Sequence, residues 1–293
     1  MKPGGAGAGY CDILRRARVP VLNNMNYRYA ITPGALPAAL HGADGDYSIR
    51  TLTNQERVAI EDHLFGKNIK AVLSADTGAV IVPQNDTSRG TMERFAVLVE
   101  FALAILTVSG FQPVSMVADL SDSNCVEALL RGCAGTIDPP IFPKRLVKAA
   151  ASAWVRRLFA AQRKTKDKLH ITADRFVRYS RITNSCDALV DLCICLESLI
   201  ESQTEISFRF ATCLAKVSAL KNAEEIGELL SDLYDLRSRV VHGADFSREH
   251  KKIAPKMAEL RFAARAILTT YILYLTEHTK DEWKRHLRRS LFA

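Results

Sequence analysis

The sequence predicts a mainly α-helical protein in which a smaller α+β domain precedes an all-α helical bundle. Three observations support this prediction. The chain has 293 residues, enough for two domains of ordinary size. A segment rich in proline at 135–143 forbids a continuous helix and marks a linker. After it, apolar residues recur at three- and four-residue spacing in six segments, the pattern of a helical bundle.

The chain begins with a short tail and then mixes helical and strand signals. Residues 1–10 are small and rich in glycine, so we expect a disordered tail. We assign residues 11–134 to the α+β domain. Within it, Thr53 as N-cap, Glu56 as its capping-box partner and Gly66 as a stop predict a helix.

Five further segments of this domain carry local signals. Residues 69–84 read as two strands about a turn, and residues 111–120 as another strand. Residues 91–108 read as a buried helix, because the oily run is too short for a membrane span and Glu100 interrupts it. Residues 123–132 predict a short helix. The tetrapeptide HGAD at 41–44 reads as a loop.

The predicted bundle, residues 144–293, carries the positive charge of the protein. It holds 28 Lys and Arg residues against 18 Asp and Glu residues, whereas residues 1–143 hold 12 against 14. An excess of positive charge in one half is typical of a protein that binds a phosphate-rich partner. Solubility alone explains the same charge equally well.

Several classes of site and location are not expected. The seven cysteines form no CxxC pair, so we expect no zinc site, no disulfide framework and a reducing compartment. No glycine-rich phosphate loop, GxSxG, HExxH or GxGxxG motif occurs, and we expect neither a cofactor nor a metal. No signal peptide or membrane span is visible, which predicts a cytoplasmic protein without membrane contact.

The stretch RSRVVHGAD at 237–245 holds the main candidate site. Gly243 predicts the end of a helix, which places Arg237 on its last turns and His242 at its edge. Arg237 offers a planar fork of donors for a phosphate oxygen, and His242 can move a proton near neutral pH. The partial negative charge of a helix C-terminus favours the imidazolium form. The pair suits cleavage of RNA, whose 2′-OH is its own nucleophile, but such a pair can also be structural.

Three helical segments extend this observation beyond one motif. CDALVDLCICLESLI, TEISFRFATCLA and LYDLRSRVVHG follow one another in the order seen in the HEPN superfamily, and the chain resembles its Apea-like group. The hallmark of that family is an Arg followed after four to six residues by a His, often with a small polar residue after the Arg. Arg237, Ser238 and His242 match it. The resemblance covers about residues 145–285.

The resemblance implies a dimeric all-α bundle that places two Arg/His motifs in one cleft. It implies a metal-independent endoribonuclease, usually a toxin or an anti-phage defence effector, with RNA as its partner. Arg237 and His242 then become catalytic, Ser238 assists, and Glu197 orients Arg237. Many toxins of the superfamily carry a Tyr soon after the His, and Gly243 here departs from that pattern, so a nucleotidyltransferase antitoxin as regulatory partner is less expected.

Two alternatives remain open at this point. The bundle could be a non-catalytic module that binds RNA or a protein, with Arg237 and His242 only closing the helix. The α+β domain could act as a sensor or regulator, by analogy with modular defence proteins. Other candidates for RNA contact recur along two helices: Arg175, Arg178, Arg181 and Tyr234. The basic end at 283–290 either extends that surface or solubilises the tail, and His278 and His286 read as surface residues.

Overall fold

The computed structural model describes most of the helical half and parts of the N-terminal half. The described residues are 27–32, 40–66, 73, 75, 77–83, 92–106, 116–119, 126–128, 151–165, 169–181, 186–200, 206–218, 220 and 222–291. The predicted tail at 1–10 and the predicted linker at 135–143 lie outside them.

Six short strands among these residues form one sheet. They are β1 Tyr27–Ile31, β2 Gly42–Asp44, β3 Tyr47–Thr51, β4 Gly78–Pro83, β5 Met116–Asp119 and β6 Val126–Ala128. Their order is β2-β3-β4-β1-β5-β6, and every neighbouring pair is antiparallel. β1 is central, with Tyr29 opposite Ile81 of β4 and Ala118 of β5.

Ten α-helices are described. They are α1 Asn54–Gly66, α2 Met92–Leu106, α3 Ala151–Lys164, α4 Leu169–Arg181, α5 Cys186–Ile200, α6 Ile206–Val217, α7 Ala223–Val241, α8 Phe246–Ile253, α9 Met257–Glu277 and α10 Lys280–Ser290. A short 3-10 helix, Ala254–Lys256, joins α8 to α9. The predicted fold class, mainly α with a smaller sheet region at the N-terminal side, is confirmed.

Helix α1 begins and ends where the sequence predicts. The backbone N–H of Thr53 donates to the Glu56 carboxylate at 2.8 Å, and the backbone N–H of Glu56 donates to the Thr53 hydroxyl at 3.3 Å. This reciprocal pair satisfies two donors that the first turn of a helix leaves without a backbone acceptor. The predicted capping box and the stop at Gly66 are therefore confirmed.

Alternation along the central strands separates the two faces of the sheet. Tyr29 and Ile81 lie in a small cluster with residues of α1, whereas Ala30 and Val80 belong to the main core. Successive side chains of a strand point to opposite faces, so the sheet is buried on both sides. This explains why β4, GAVIVP, reads as a continuous apolar run.

The main core continues from the sheet through α2 into the bundle. The Phe95 ring of α2 contacts Phe159 of α3 with centroids 5.9 Å apart, and Phe101 contacts Phe176 of α4 edge-on at 5.6 Å. The described parts on either side of the predicted linker therefore share one hydrophobic core.

Two buried arginine contacts join α2 to the bundle. Glu100 is fully buried, and its carboxylate accepts a hydrogen bond from Arg181 of α4 at 2.6 Å. Arg265 of α9 donates to the backbone carbonyl of Ala104 at 2.7 Å, in the last turn of α2. Burial, aided by the neighbouring charge of Arg261, lowers the pKa of the Arg265 guanidinium to about 10. Glu100, the charged residue that interrupts the apolar run of α2, thus links α2 to α4.

Three sequence predictions about local structure need correction or completion. Residues 126–128, expected in a short helix, form strand β6, because they pair with β5 and tertiary pairing overrides weak helix propensity. HGAD at 41–44 is not simply a loop: Gly42–Asp44 form β2, and Gly45 with φ +60° turns the chain into β3. β4 matches the second strand predicted at 69–84, and β5 matches the strand predicted at 111–120. Of the first strand predicted at 69–84, the structure describes only Leu73, which is in no strand.

The bundle contains more helices than the six predicted. Between residues 151 and 291 the structure describes eight, and the two additional ones are the short α8 and the basic α10. α10 is held because Trp283 is fully buried in an otherwise charged helix. No helix in the described part of the chain is long and apolar enough to cross a membrane.

Candidate active site

The C-terminal end of α7 has the closure that its sequence predicts. His242 is the residue at which the helix ends, and Gly243 adopts φ +83°, a conformation that favours glycine. The Gly243 N–H donates to the Val240 carbonyl and the Ala244 N–H donates to the Arg239 carbonyl, both at 3.0 Å. This pair of bonds is the Schellman motif. It fixes the point where the chain leaves α7 and holds His242 on an exposed edge.

Arg237 lies one turn earlier and is held by two neighbours. Its Nη2 lies 3.8 Å from the Glu197 carboxylate of α5, and its guanidinium carbon lies 5.9 Å from the centre of the Tyr234 ring. Its Nε is buried and has no hydrogen-bond partner within the described part of the chain. The Arg237 side chain is 30% exposed, so the guanidinium is partly accessible from solvent. The structure thus brings Glu197 and Arg237 together, as expected from the resemblance.

The surroundings of this pair are poorly solvated. Burial raises the pKa of the Glu197 carboxyl, and the charge of Arg237 offsets part of that effect. Burial and the nearby Glu197 raise the pKa of the Cys193 thiol to about 12. Cys193 therefore stays protonated near neutral pH and is a packing residue, not a nucleophile. Burial, then Glu197, raises the pKa of Tyr234 as well.

Ser238 contributes its backbone at this site. Its carbonyl accepts a hydrogen bond from the His242 N–H at 3.1 Å, which ties His242 to the last turn. The assisting role of the Ser238 hydroxyl stays a prediction. Four residues lie between Arg237 and His242, and their surroundings differ: Arg237 is half-buried against α5, whereas His242 faces solvent. The arrangement fits a fixed phosphate donor beside a mobile proton carrier.

Two exposed apolar side chains lie at the same end of the bundle. Phe208 of α6 and Val241 of α7 are each 58% exposed. Helices α6 and α7 pack against each other, with the rings of Phe210 and Tyr234 5.4 Å apart. The start of α6 therefore lies beside the end of α7, and Phe208 and Val241 are both exposed at this end of the bundle. Exposed apolar groups beside a site are typical of a contact surface.

The three arginines of α4 do not form one surface. Arg175 pairs with Asp191 of α5 at 2.6 Å, and Arg181 pairs with buried Glu100 of α2. Arg178 pairs with Asp174 on its own helix at 2.9 Å. Two of the three guanidiniums thus turn toward different helices and hold the fold together. Arg175, Arg178 and Arg181 therefore do not offer one shared surface to RNA. The Tyr234 ring contacts Phe210 and Arg237.

A cavity of about 430 Å³ lies beside the β2–β3 hairpin, and sequence reasoning missed it. Its floor includes Glu56, which accepts two bonds from Arg50 at 2.7 Å and one from the Tyr29 hydroxyl at 3.2 Å. Burial opposes the ionisation of Glu56, but the hydrogen bonds from Arg50 and Thr53 lower its pKa. These bonds use both oxygens, so Glu56 anchors α1 to the sheet. Its capping box was visible in the sequence; Arg50 and Tyr29 were not, because their strands are short.

Within the described ranges, no group of three or more His, Cys, Asp or Glu side chains is placed to hold a metal ion. Comparison of the chain with protein-family models, with curated proteins and with solved structures found no match.

Proposed function

We propose that the protein is a metal-independent endoribonuclease whose site is formed by Arg237 and His242. The observation that carries this proposal is the end of α7, where Gly243 closes the helix, His242 is exposed at its edge, and the partly exposed Arg237 lies on the last turns with its Nη2 3.8 Å from Glu197. The net positive charge of the bundle supports an anionic substrate.

The chemistry follows from what the two side chains can do. The 2′-oxygen of one RNA nucleotide attacks the adjacent phosphorus, and the bond to the 5′-oxygen of the next nucleotide breaks. Arg237 donates to a non-bridging phosphate oxygen and stabilises the charge that develops there. The imidazolium of His242 gives its proton to the leaving 5′-oxygen. The products are a 2′,3′-cyclic phosphate and a 5′-hydroxyl.

A second copy of the chain completes this scheme. The departing 2′-OH proton needs a base, and the resemblance implies a dimer in which two motifs share one cleft. A neutral His242 from the second copy then takes that proton. Phe208 and Val241, exposed at this end of the bundle, give such a dimer apolar area to bury. We place the enzyme in the cytoplasm as a toxin or defence effector, where buried free cysteines such as Cys193 stay reduced.

A second candidate function is a non-catalytic module that binds RNA or a protein partner. The contacts of Arg237 with Glu197 and Tyr234 favour it, because an arginine held by a carboxylate and a ring can serve packing alone. In that case His242 only ends the helix. With either function, we propose that the N-terminal sheet region acts as a regulator of the bundle.

The test compares His242→Ala with His41→Ala. Both histidines are exposed and both precede Gly-Ala-Asp, but only His242 follows an arginine at the end of a helix. In the presence of excess chelator, we expect His242→Ala to lose RNA cleavage and His41→Ala to keep it, with melting temperatures unchanged in both. Undiminished cleavage by His242→Ala contradicts the proposal. No cleavage by the unaltered protein, together with RNA binding, favours the non-catalytic module.

A further inference from the structure

Helix α10 carries a cluster of aromatic rings at its outer side. The rings of His278 and His286 both stack on Tyr274, with centroids 4.1 and 5.0 Å away and interplanar angles of 25° and 24°. Trp283 meets Tyr274 edge-on at 5.4 Å and lies 5.6 Å from His286. His286 is exposed, whereas Tyr274 and His278 are half-buried. The outermost ring of the cluster is therefore open to a ligand.

The cluster is built on a firmly held helix. The indole N–H of Trp283 donates to the backbone carbonyl of Leu199 at 2.9 Å. This bond gives a donor to a carbonyl in the last turn of α5, where the helix itself provides none. A capping box between Thr279 and Glu282 starts α10, with the Thr279 N–H donating to the Glu282 carboxylate at 2.7 Å. The Trp283 ring also contacts Tyr271 at 5.0 Å. The exposed ring of His286 thus has a preorganised support.

The exposed side of α10 around this ring is strongly basic. The acidic residues of the helix lie in its first turn, and exposed Arg285, Arg288 and Arg289 lie in the later turns. Arg285 has only a 3.9 Å contact with Glu282, and no carboxylate of the described chain pairs with Arg288 or Arg289. Burial, then the charges of His278 and Arg289, lowers the pKa of His286. The later turns of α10, around His286, therefore carry an excess of positive charge.

This surface leads toward the candidate active site. The hydroxyl of Ser290, at the end of α10, interacts with Cys213 of α6, and the same thiol lies near Arg209 and Lys216. The start of α6 lies beside the end of α7. Helix α5 contacts both regions. Its Leu199 carbonyl accepts the hydrogen bond from the Trp283 indole, and its Glu197 carboxylate, two residues earlier, lies 3.8 Å from Arg237. Helix α10 thus packs on α6, whose first residues lie beside the end of α7.

We propose that the outer face of α10 binds single-stranded RNA, with one unpaired base stacked on His286 and adjacent phosphates held by Arg285 and Arg289. The proposal rests on RNA being the substrate, and it adds the place where the strand is gripped outside the reacting site. A stacking ring flanked by arginines holds a base and its phosphates together, and any base presents a suitable face. A duplex hides its base faces, so this site prefers single strands.

The test measures binding without cleavage. Fluorescence anisotropy with a labelled single-stranded RNA of about 12 nucleotides is run in the His242→Ala background, so that the probe stays intact. Loss of one stacked base costs about 1–3 kcal/mol by alanine substitution, so we expect His286→Ala to bind on the order of tenfold more weakly. His286→Phe, which keeps a ring, should retain most of the affinity. Arg285→Ala/Arg289→Ala should weaken binding and reduce its dependence on salt.

The matched control removes two charges elsewhere. Arg248 and Lys251 are exposed on α8, and Arg248→Ala/Lys251→Ala deletes the same charge without touching α10. We expect this control to bind within about threefold of the background protein. The proposal is overturned if His286→Ala binds as tightly as the background, if the control loses as much as Arg285→Ala/Arg289→Ala, or if duplex RNA binds equally well. If the unaltered protein binds RNA through α10 but cleaves none, the proposed nuclease function is contradicted and the proposed RNA-binding site on α10 is supported.

Discussion

Removal of Arg181 tests the link between α2 and the helical bundle. Glu100 has no exposed side-chain surface, and its partner Arg181, at 2.6 Å, is 32% exposed. In Arg181→Ala the buried carboxylate loses this guanidinium, and breaking one side of a buried ion pair typically costs about 3–5 kcal/mol. Since Arg181 keeps some solvent, we expect the low end, about 3 kcal/mol of the free energy of unfolding. Urea denaturation followed by fluorescence of buried Trp154 and Trp283 measures it.

Arg178 on the same helix is the matched control. It is 54% exposed and pairs with Asp174 one turn away, and such pairs contribute about 0.3–0.5 kcal/mol. Arg178→Ala should therefore change stability little. Adding Glu100→Gln to Arg181→Ala should recover part of the loss, since a neutral amide is cheaper to bury than a carboxylate. A loss below about 1 kcal/mol in Arg181→Ala, or no recovery in the double variant, would refute the reasoning.

Two further predictions concern the end of α7. Gly243→Ala should lower the free energy of unfolding by about 1 kcal/mol, because alanine is strained at the φ of +83°. The added Cβ meets no atom within 4 Å, so no steric clash adds to this cost. Thermal or urea unfolding measures the change, and an unchanged midpoint would contradict the prediction. Glu197→Gln should change the pH dependence of stability. The folded-state pKa of Glu197 is raised above 4.5, so the folded protein binds more protons than the unfolded one, and the free energy of unfolding falls as pH rises from about 4.5 through the folded value. Urea titrations at several pH values should show that this fall disappears in Glu197→Gln; equal slopes in both proteins would show that Glu197 is not the titrating group.

Local sequence signals predicted the elements whose ends are set by short-range chemistry. The Thr53–Glu56 capping box and the closure at Gly243 are each encoded within a few residues, and both are confirmed. The six predicted helical segments of the bundle follow from apolar spacing, which acts over a whole helix. Such features need no knowledge of a distant partner.

Features that depend on distant partners could not be predicted in the same way. β6 is three residues long and exists because β5 lies beside it. Glu100 looked like a break in an oily run, since nothing in the local sequence shows that Arg181 will meet it 81 residues later. Helix α10 read as a basic tail because only Trp283 and Leu287 are buried, and the acceptor for Trp283 lies on α5.

The candidate site shows the same division. The residue spacing from Arg237 to His242 and the glycine stop were visible in the sequence, and the resemblance added Glu197. The half-buried setting of Arg237, with its ring contact to Tyr234, is a property of packing between α5 and α7. The ring cluster at His286 was also out of reach, because Tyr274 and His286 meet only when α10 folds back along α9.

The most direct test of the proposed function is to incubate the protein with RNA and to identify the ends of the products. The same RNA is offered with ordinary riboses and with 2′-O-methyl riboses, in excess chelator. We predict cleavage of the ordinary RNA only, leaving a 2′,3′-cyclic phosphate and a 5′-hydroxyl, because the 2′-oxygen is the attacking group. Cleavage of the 2′-O-methyl RNA, or products that carry a 5′-phosphate, would contradict the assignment of Arg237 and His242 to this reaction.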